Sequence, residues 1–196
     1  MLPFLSPTKS EANMATPPDT ALVQAAQRDT EAFILLYRRY VKRIYRYHYS
    51  RTGNSADAED LTSQTFAEAL AALSRYQEQG AFAAWLFAIA RRRLTDHYRR
   101  QRPQQPLDHA HNLAAAEPSP LSQTVHNDEL NQLANLVADL SEDKQELLRL
   151  RFAAGLTYAE IGRIVKRSEA ATKMAVHRLL QQLEQDWEDD DDRTNN

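Results

Sequence analysis

The sequence predicts an all-α protein made of two small helical domains. Long stretches are rich in Ala, Leu, Gln, Glu and Arg, only four of the 196 residues are glycine, and no run alternates β-branched with polar residues. These features favour helices and predict no strands. A hydrophobic content of 42% is enough to form a core in each of two domains.

The prolines divide the chain into segments. Four of the eight lie within residues 1–18, which have no apolar period and are predicted to be disordered, with Met14 as an alternative start. The other four interrupt a polar, alanine-rich stretch that predicts a flexible linker. The expected order is a helical domain at 19–102, a linker at 103–125, a second helical domain at 126–187 and an acidic tail at 188–196.

The formal net charge of −3 hides an uneven distribution. Residues 184–196 carry seven carboxylates against Arg193, which leaves the rest of the chain with a surplus of three positive charges. Local basic faces therefore matter more than the total. We expect the tail to be a disordered, solubilising end. The alternative is that it competes with DNA for a basic helix.

Several classes of protein are excluded by composition. The chain has no cysteine, so disulfides, thiol chemistry and thiolate metal sites are absent. No apolar run approaches the ~18 residues of a membrane span, and the N-terminus lacks a signal-peptide pattern. The expected location is the cytoplasm.

The first strongly periodic segment, YRRYVKRIYRYHYSR, predicts a helix with an apolar inner face and a basic outer face. Tyr37, Tyr40, Ile44 and Tyr47 have core spacing. We assign no site to this helix.

The next helix, SADAEDLTSQTFAEALAALSRY, has an acidic face. Asp57, Asp60, Gln64 and Glu68 share one side, opposite an apolar side formed by Leu61, Phe66, Ala69, Leu70 and Leu73. The acidic stripe is either a solvated surface near a helix N-terminus or a docking face for a basic partner.

The third helix, AFAAWLFAIARRRLTDHYRRQRP, has a cationic face. Its apolar arc comprises Phe82, Leu86, Ile89, Ala90, Leu94 and Tyr98, and the other side carries Arg91, Arg92, Thr95, Arg99 and Arg102. Six arginines against Asp96 give five net positive charges, which predicts binding to a phosphate backbone. The aromatic residues Phe82, Trp85 and Phe87 either belong to the core or stack on unpaired bases.

The stretch from Leu140 to Leu183 predicts a DNA-binding helix-turn-helix. Thr157 and Glu160 form a capping box, and Ile161, Ile164 and Val165 recur on one helical face. Gly162 offers a small residue where a second helix can cross closely. The alternative is an ordinary amphipathic helical hairpin.

A basic helix follows this turn. Ser168 is a suitable cap, and Lys173, His177 and Arg178 place positive side chains about one turn apart. Such a helix can enter the major groove of DNA.

Together, DAEDLTSQTF, WLFAIAR and LSEDKQELLRLRFAAGLTYAEIGRIV resemble the extracytoplasmic-function sigma factors of bacterial RNA polymerase in order and spacing. The resemblance covers about residues 19–183 and implies a domain 2-like and a domain 4-like unit. It implies docking on the polymerase β′ clamp helices by Asp57, Glu59, Asp60 and Gln64. It implies binding of the promoter minus-10 element by Trp85, Arg91, Arg92 and Arg99. It implies binding of the minus-35 element by Lys166, Arg167, Ser168, Lys173, His177 and Arg178. Contact of domain 4 with the β flap and an anti-sigma partner are also implied.

The sequence departs from the family pattern in three places. Arg92 stands where Asn commonly follows an Ala-Arg pair, which changes the expected preference for an extruded minus-10 base. The turn Val165–Ser168 lacks the usual glycine and apolar residue, so we expect it to be more basic and less tightly packed. Met174 and Ala175 replace a small polar residue and an arginine, so one DNA contact is expected to be missing.

Two other classes of function are possible. A stand-alone DNA-binding regulator would share the helix-turn-helix but would not need the DAEDL helix. An enzyme is disfavoured because the sequence has no Gly-rich phosphate loop, nucleophile motif or convincing metal cluster. His109 and His111 lie in the predicted linker, where a solvated segment is favoured over a metal site. We therefore expect no catalytic residues, no cofactor and no metal.

Overall fold

The computed structural model describes residues 17–77, 81–101 and 123–194, and every regular element in these ranges is a helix. This confirms the all-α prediction. The α-helices are α1 (Asp19–Arg28), α2 (Phe33–Thr52), α3 (Ser55–Ala72), α4 (Phe82–Gln101), α5 (Gln123–Ala138), α6 (Glu142–Leu148), α7 (Tyr158–Val165) and α8 (Glu169–Thr194). Short 3-10 turns at Thr30–Ala32 and Leu73–Arg75 and a π-helical turn at Arg149–Ala153 complete the set.

The first domain is built from α1 to α4, and α3 packs against both α2 and α4. Gly53 ends α2 in the left-handed conformation with φ 62°, which glycine adopts without a Cβ clash. Asn54 then accepts a hydrogen bond from the Asp57 N–H and caps α3. These two adjacent residues fix the turn between α2 and α3.

The predicted apolar faces are largely buried. Of the α2 set, Tyr40, Ile44 and Tyr47 lie in the core, and all of the α4 set is buried except the half-buried Tyr98. Two predictions are wrong: Tyr37 and Leu70 remain 38% and 39% exposed. Both lie at the edge of their arc, where helical periodicity alone does not decide between core and surface.

The second domain comprises α5 to α8. Leu150, Leu156, Ile161 and Val176 are fully buried. Their cluster is continuous with the core of the first domain, because α2 packs on the π-helical turn and α4 packs on α7. A smaller cluster of Leu140, Leu179 and Leu183 joins α8 to α5.

The acidic end of the chain differs from the prediction of a disordered tail. Helix α8 continues to Thr194, so residues 188–194 are helical. Gln132 Nε2 donates a hydrogen bond of 2.9 Å to Asp190 Oδ2, which ties this end to α5. The disorder of the tail was predicted from its composition, which carries no information on such a contact.

Some sequence predictions lie outside the described residues. They include the disorder of residues 1–16, most of the linker, Arg102 and the pair His109 and His111. Helix α5 begins at Gln123, slightly before the expected start of the second domain. Within the described ranges, no helix is long and apolar enough to cross a membrane.

Candidate polymerase and nucleic-acid interfaces

Helix α3 carries the four predicted polymerase-binding residues. Glu59 and Asp60 are exposed, whereas Asp57 and Gln64 are half-buried. Gln64 Nε2 donates a 2.7 Å hydrogen bond to Asp60 Oδ2 across one turn of the helix. The Asp57 carboxylate lies 3.9 Å from His97 Nε2 on α4.

Three of the four residues line depressions on the two flanks of α3. Asp60 and Gln64 line a depression of about 190 Å³ that they share with residues of α4, including His97. Glu59 lines a different groove, between α3 and α2, together with Tyr37. The predicted docking face therefore has two sides, separated by the crest of α3.

Glu68, placed on the same stripe by its spacing, serves a structural purpose. Its carboxylate pairs with Arg92, and its Oε2 accepts a 2.5 Å hydrogen bond from Arg93 Nε. These ion pairs join α3 to α4 at the surface, beside the apolar contact of the two helices. The arginine that departs from the family pattern at position 92 thus has a carboxylate partner within its own domain.

The cationic face of α4 carries less uncompensated charge than the sequence suggested. Arg99 pairs with Asp96 at 3.1 Å, and Arg91 Nε lies 3.5 Å from Glu146 Oε1 of the second domain. With Arg92 and Arg93 paired to Glu68, part of the five net positive charges counted on this segment is compensated from outside it. The pairs are still accessible, since the side chains of Arg91, Arg92 and Arg99 are 46%, 61% and 77% exposed.

The aromatic residues at the start of α4 separate into core and surface. Phe82 and Phe87 are buried, so stacking on bases is excluded for them in this structure. Trp85 is half-buried, with its ring centroid 4.8 Å from that of Tyr76 and 5.4 Å from that of Phe82. Of the three aromatic candidates, Trp85 alone keeps an accessible surface.

The helix-turn-helix forms with the predicted caps. Thr157 and Glu160 make both hydrogen bonds of the capping box, and Ser168 Oγ accepts from the Ala171 N–H at 3.1 Å. A Cβ on Gly162 would come within 2.6 Å of the Arg167 carbonyl oxygen. The predicted close approach at Gly162 therefore exists, and it is made by the backbone of the turn.

The turn between α7 and α8 is tight despite its lack of glycine. Lys166 adopts the left-handed conformation with φ 59°. The N–H groups of Lys166 and Arg167 both donate to the Gly162 carbonyl oxygen, the latter at 2.8 Å. The expectation of looser packing is therefore wrong, because the backbone hydrogen bonds impose the turn on a lysine.

The exposed surface of this motif contains all the residues predicted to bind the minus-35 element. Lys166, Arg167 and Ser168 are exposed in the turn, and Lys173, His177 and Arg178 are exposed on α8. Met174 is 50% exposed between them. The opposite side of α8 is fixed by the buried Val176 and Leu179.

A polar network between the domains was not found from the sequence. The Tyr47 hydroxyl donates a 2.8 Å hydrogen bond to Glu146 Oε1, and both side chains are buried. Burial, followed by the charge of Glu146, raises the pKa of Tyr47. Burial also lowers the pKa of Arg149, which pairs with Glu142 at 3.0 Å. No sequence signal could have found this network, since Tyr47 and Glu146 are 99 positions apart.

Comparison with known protein families gives one match for each half of the chain. The Sigma-70 region 2 family matches residues 36–104, and the Sigma-70 region 4 family matches residues 130–183. The chain is 33% identical to the ECF RNA polymerase sigma factor SigF of Caulobacter vibrioides, over 67% of this chain and 72% of SigF. The chain belongs to the extracytoplasmic-function sigma factors.

Other relatives agree with this assignment. The ECF RNA polymerase sigma factor BldN of Streptomyces coelicolor is 37% identical over 83% of this chain, which spans 63% of the length of BldN. The structure of RpoE in complex with the anti-sigma factor NepR from Bartonella quintana shares the fold. It has a TM-score of 0.60, 21% identity and coverage of 79% and 96% of the two chains. This sigma factor is thus a transcription initiation factor, which directs RNA polymerase to promoters.

Proposed function

We propose that this sigma factor divides promoter recognition between its two domains. The second domain binds the minus-35 element as duplex DNA, and the first binds the minus-10 element and helps to hold it single-stranded. The observation that carries the proposal is the exposed basic surface of α8 on a fully capped helix-turn-helix, in a chain that also contains sigma region 2. In this function the chain performs no chemistry of its own and uses no cofactor or metal.

Polymerase docking is assigned to the acidic side of α3. Asp57, Glu59, Asp60 and Gln64 contact the β′ clamp helices, and the second domain contacts the β flap. The exposure of Glu59 and Asp60 supports this assignment, because these carboxylates can meet a basic partner without rearrangement of the core. The protein acts in the cytoplasm, where the polymerase is.

The minus-10 element is assigned to the exposed side of α4. Arg91, Arg92 and Arg99 contact phosphates, and Trp85 stacks on an unpaired base. The partial exposure of each guanidinium supports this, although the carboxylates now paired with them must yield to DNA. Such an exchange makes binding strongly dependent on salt.

The minus-35 element is assigned to the turn and the start of α8. Lys166, Arg167 and Ser168 contact the backbone, while Lys173, His177 and Arg178 reach phosphates and base edges in the major groove. An anti-sigma protein is a further expected partner, since the RpoE relative has been solved with one.

Reconstituted transcription tests the function. With core polymerase, the protein should support promoter-dependent initiation that is lost when the β′ clamp helices are altered. A stand-alone regulator would instead bind its operator tightly without polymerase. Failure to bind core polymerase, in dilute buffer and without inhibitor, would contradict the proposal.

Charge reversal tests the docking face. Asp60→Lys should weaken core binding at least about tenfold, because it places a cation against a basic partner. Glu31→Lys makes the same charge change at an exposed position of the same domain and should leave core binding unchanged. Equal affinities of the two variants, measured by fluorescence titration, would remove Asp60 from the interface.

Alanine substitutions test the second domain. Lys173→Ala and Arg178→Ala should weaken duplex binding and reduce the dependence of log K on log[salt] by about one per lost phosphate contact. Gln181→Ala, at a neutral exposed position further along α8, is the control. If Lys173→Ala and Arg178→Ala both kept the wild-type slope of log K against log[salt], these assignments would be refuted.

A further inference from the structure

One large apolar side chain lies within the basic face of α8. Met174 is 50% exposed, while the buried Val176 fixes the other side of the helix. Lys173 precedes Met174, and His177 and Arg178 follow one turn later, all three exposed. Since residues three and four apart are neighbours on a helix surface, Met174 lies beside both His177 and Arg178.

The first turn of α8 leaves room beside this side chain. Ala170 and Ala171 are exposed, and they lie four and three positions before Met174. Helical side chains lean toward the N-terminus of their helix and cover the preceding turn. The Met174 thioether is therefore directed over two residues that project no further than Cβ. In a recognition helix, this turn is the part that meets the edges of the bases.

Other exposed apolar residues of the second domain have an apolar setting. Leu133, Phe152 and Leu180 line one cavity of about 280 Å³, formed mainly by aliphatic side chains. Met174 does not line this cavity, and its neighbours on the helix surface are alanines and cations. Its exposed apolar surface is therefore open to a partner from outside the chain.

The chemistry of the major groove identifies the group that such a side chain fits. Among the base edges exposed there, the thymine 5-methyl is the apolar group, and the others donate or accept hydrogen bonds. We propose that Met174 selects a thymine in the minus-35 element by packing its thioether against this methyl group. The inference rests on the proposed function, which assigns α8 to that element.

The surroundings of Met174 suit this role. Lys173 and Arg178 are exposed beside it and attract the phosphates that flank a base pair. Methionine is unbranched and polarizable, so it adapts to an irregular surface such as a base edge. The departure from the family pattern at this position thus exchanges a polar contact for an apolar one.

Removal of single methyl groups from DNA tests the contact. Polymerase holoenzyme formed with the full chain first enriches a duplex from a library randomised over the length of a promoter. That duplex is then synthesised with its thymines changed to deoxyuridine one at a time, which removes the 5-methyl and keeps every hydrogen-bonding group. For wild type, uracil at the thymine that Met174 contacts should weaken binding about three- to fivefold, as measured by competition titration.

Variants of α8 identify which thymine is read by Met174. Met174→Ala should bind the thymine duplex about three- to fivefold more weakly than wild type and should be insensitive to uracil at that one position. Met174→Leu keeps an apolar side chain and should keep the preference for thymine. Leu180→Ala truncates another apolar side chain of α8, 42% exposed, and should retain the whole uracil effect. Because any effect of the methyl on DNA shape is common to all these proteins, the comparison cancels it.

Two results would overturn the inference. In one, wild type binds every uracil duplex as tightly as the thymine duplex. In the other, each uracil effect of wild type persists in Met174→Ala. If Lys173→Ala weakened binding in the same experiment, α8 would still be the reader of the minus-35 element and only the selection of thymine would be refuted. A library from which the holoenzyme enriches no sequence would instead refute the proposed function, and the inference with it.

Discussion

At the scale of single residues, the second domain contains one strained backbone position. Lys166 is the only non-glycine residue with positive φ in the part of the chain that the structure describes. The left-handed conformation costs an L-residue roughly 1–2 kcal/mol relative to glycine, because Cβ approaches the following carbonyl oxygen. Two backbone hydrogen bonds to Gly162 keep the turn in place despite this cost.

Replacing this lysine with glycine should stabilise the protein. We expect Lys166→Gly to raise the free energy of unfolding by about 1 kcal/mol, as measured by urea denaturation. Arg167→Gly removes the same charge one position later, where φ is not positive, and should give no gain. A Lys166→Gly variant that is less stable than wild type would contradict the assignment of strain.

His48 links stability to pH. It is fully buried, and its Nε2 lies 3.1 Å from Thr65 Oγ1, whose hydroxyl donates to the Leu61 carbonyl. Nε2 is therefore the protonated nitrogen, and Nδ1 has no hydrogen-bond partner among the described residues. Burial, and to a smaller extent His97, lowers the pKa of His48 to about 3.

Folding stability should therefore fall in mild acid. Between pH 6.5, the ordinary pKa of histidine, and a pH of about 3, His48 binds a proton in the unfolded chain but not in the folded protein. Acid therefore favours unfolding. In this window the free energy of unfolding falls by up to about 1.4 kcal/mol for each pH unit of acidification. Above the window, His48 adds no pH dependence. His48→Gln should flatten this part of the pH profile in chemical denaturation, and an unchanged slope would contradict the assignment.

At the scale of elements, each turn is fixed by a few local contacts. Gly53 and Asn54 separate α2 from α3, Thr157 and Glu160 start α7, and Ser168 starts α8. Packing across a turn adds a steric constraint that the capping hydrogen bonds do not provide. In the helix-turn-helix, the turn backbone lies so close to Gly162 that no side chain fits there.

A single methyl group at this position should separate the two helices. In a free helix, replacing glycine with alanine is stabilising by about 1 kcal/mol. Here the new Cβ would lie 2.6 Å from the Arg167 carbonyl oxygen, so the turn must move. We expect Gly162→Ala to destabilise the protein by about 1–3 kcal/mol and to weaken duplex binding. An increase in melting temperature would contradict this prediction, because it would show that the turn moves to accommodate the new Cβ at no net cost.

At the scale of the whole molecule, the helical end of α8 changes the hypothesis that the acidic tail competes with DNA. Arg178 and Glu188 lie on one continuous helix, so they are separated by about 15 Å along its axis. This exceeds the screening length of about 8 Å at physiological ionic strength but not that of about 30 Å at 0.01 M. A rigid tail at this distance therefore affects DNA binding only through long-range electrostatics, chiefly by repelling the DNA phosphates.

Neutralising the tail should strengthen DNA binding only at low salt. Changing Asp189, Asp190, Asp191 and Asp192 to Asn changes the net charge from −3 to +1 and avoids truncation of α8. We expect duplex affinity to rise at 0.01 M ionic strength and to differ little at about 0.15 M. The measurement is a salt titration of binding anisotropy, and unchanged affinity at low salt would exclude any influence of the tail.

Much of the candidate site was predictable because its signals are local. Two caps and a basic stripe predict the exposed face that carries the six residues, whereas their assignment to the minus-35 element comes from the resemblance. Helical periodicity likewise predicts the cationic face that the α4 arginines form. It does not predict their ion pairs, because Glu68 belongs to another helix and Glu146 to another domain.

The sequence by itself determined the helical class, the capped starts of α7 and α8, the charged faces and the order of the two sigma-like halves. These depend on interactions within about one helical turn, which a linear pattern records. Only the tertiary structure decided which charges are compensated and which carboxylates of α6 lie against the first domain. Those outcomes depend on distances between residues far apart in the chain, and hydrophobic periodicity does not encode which partner a side chain meets.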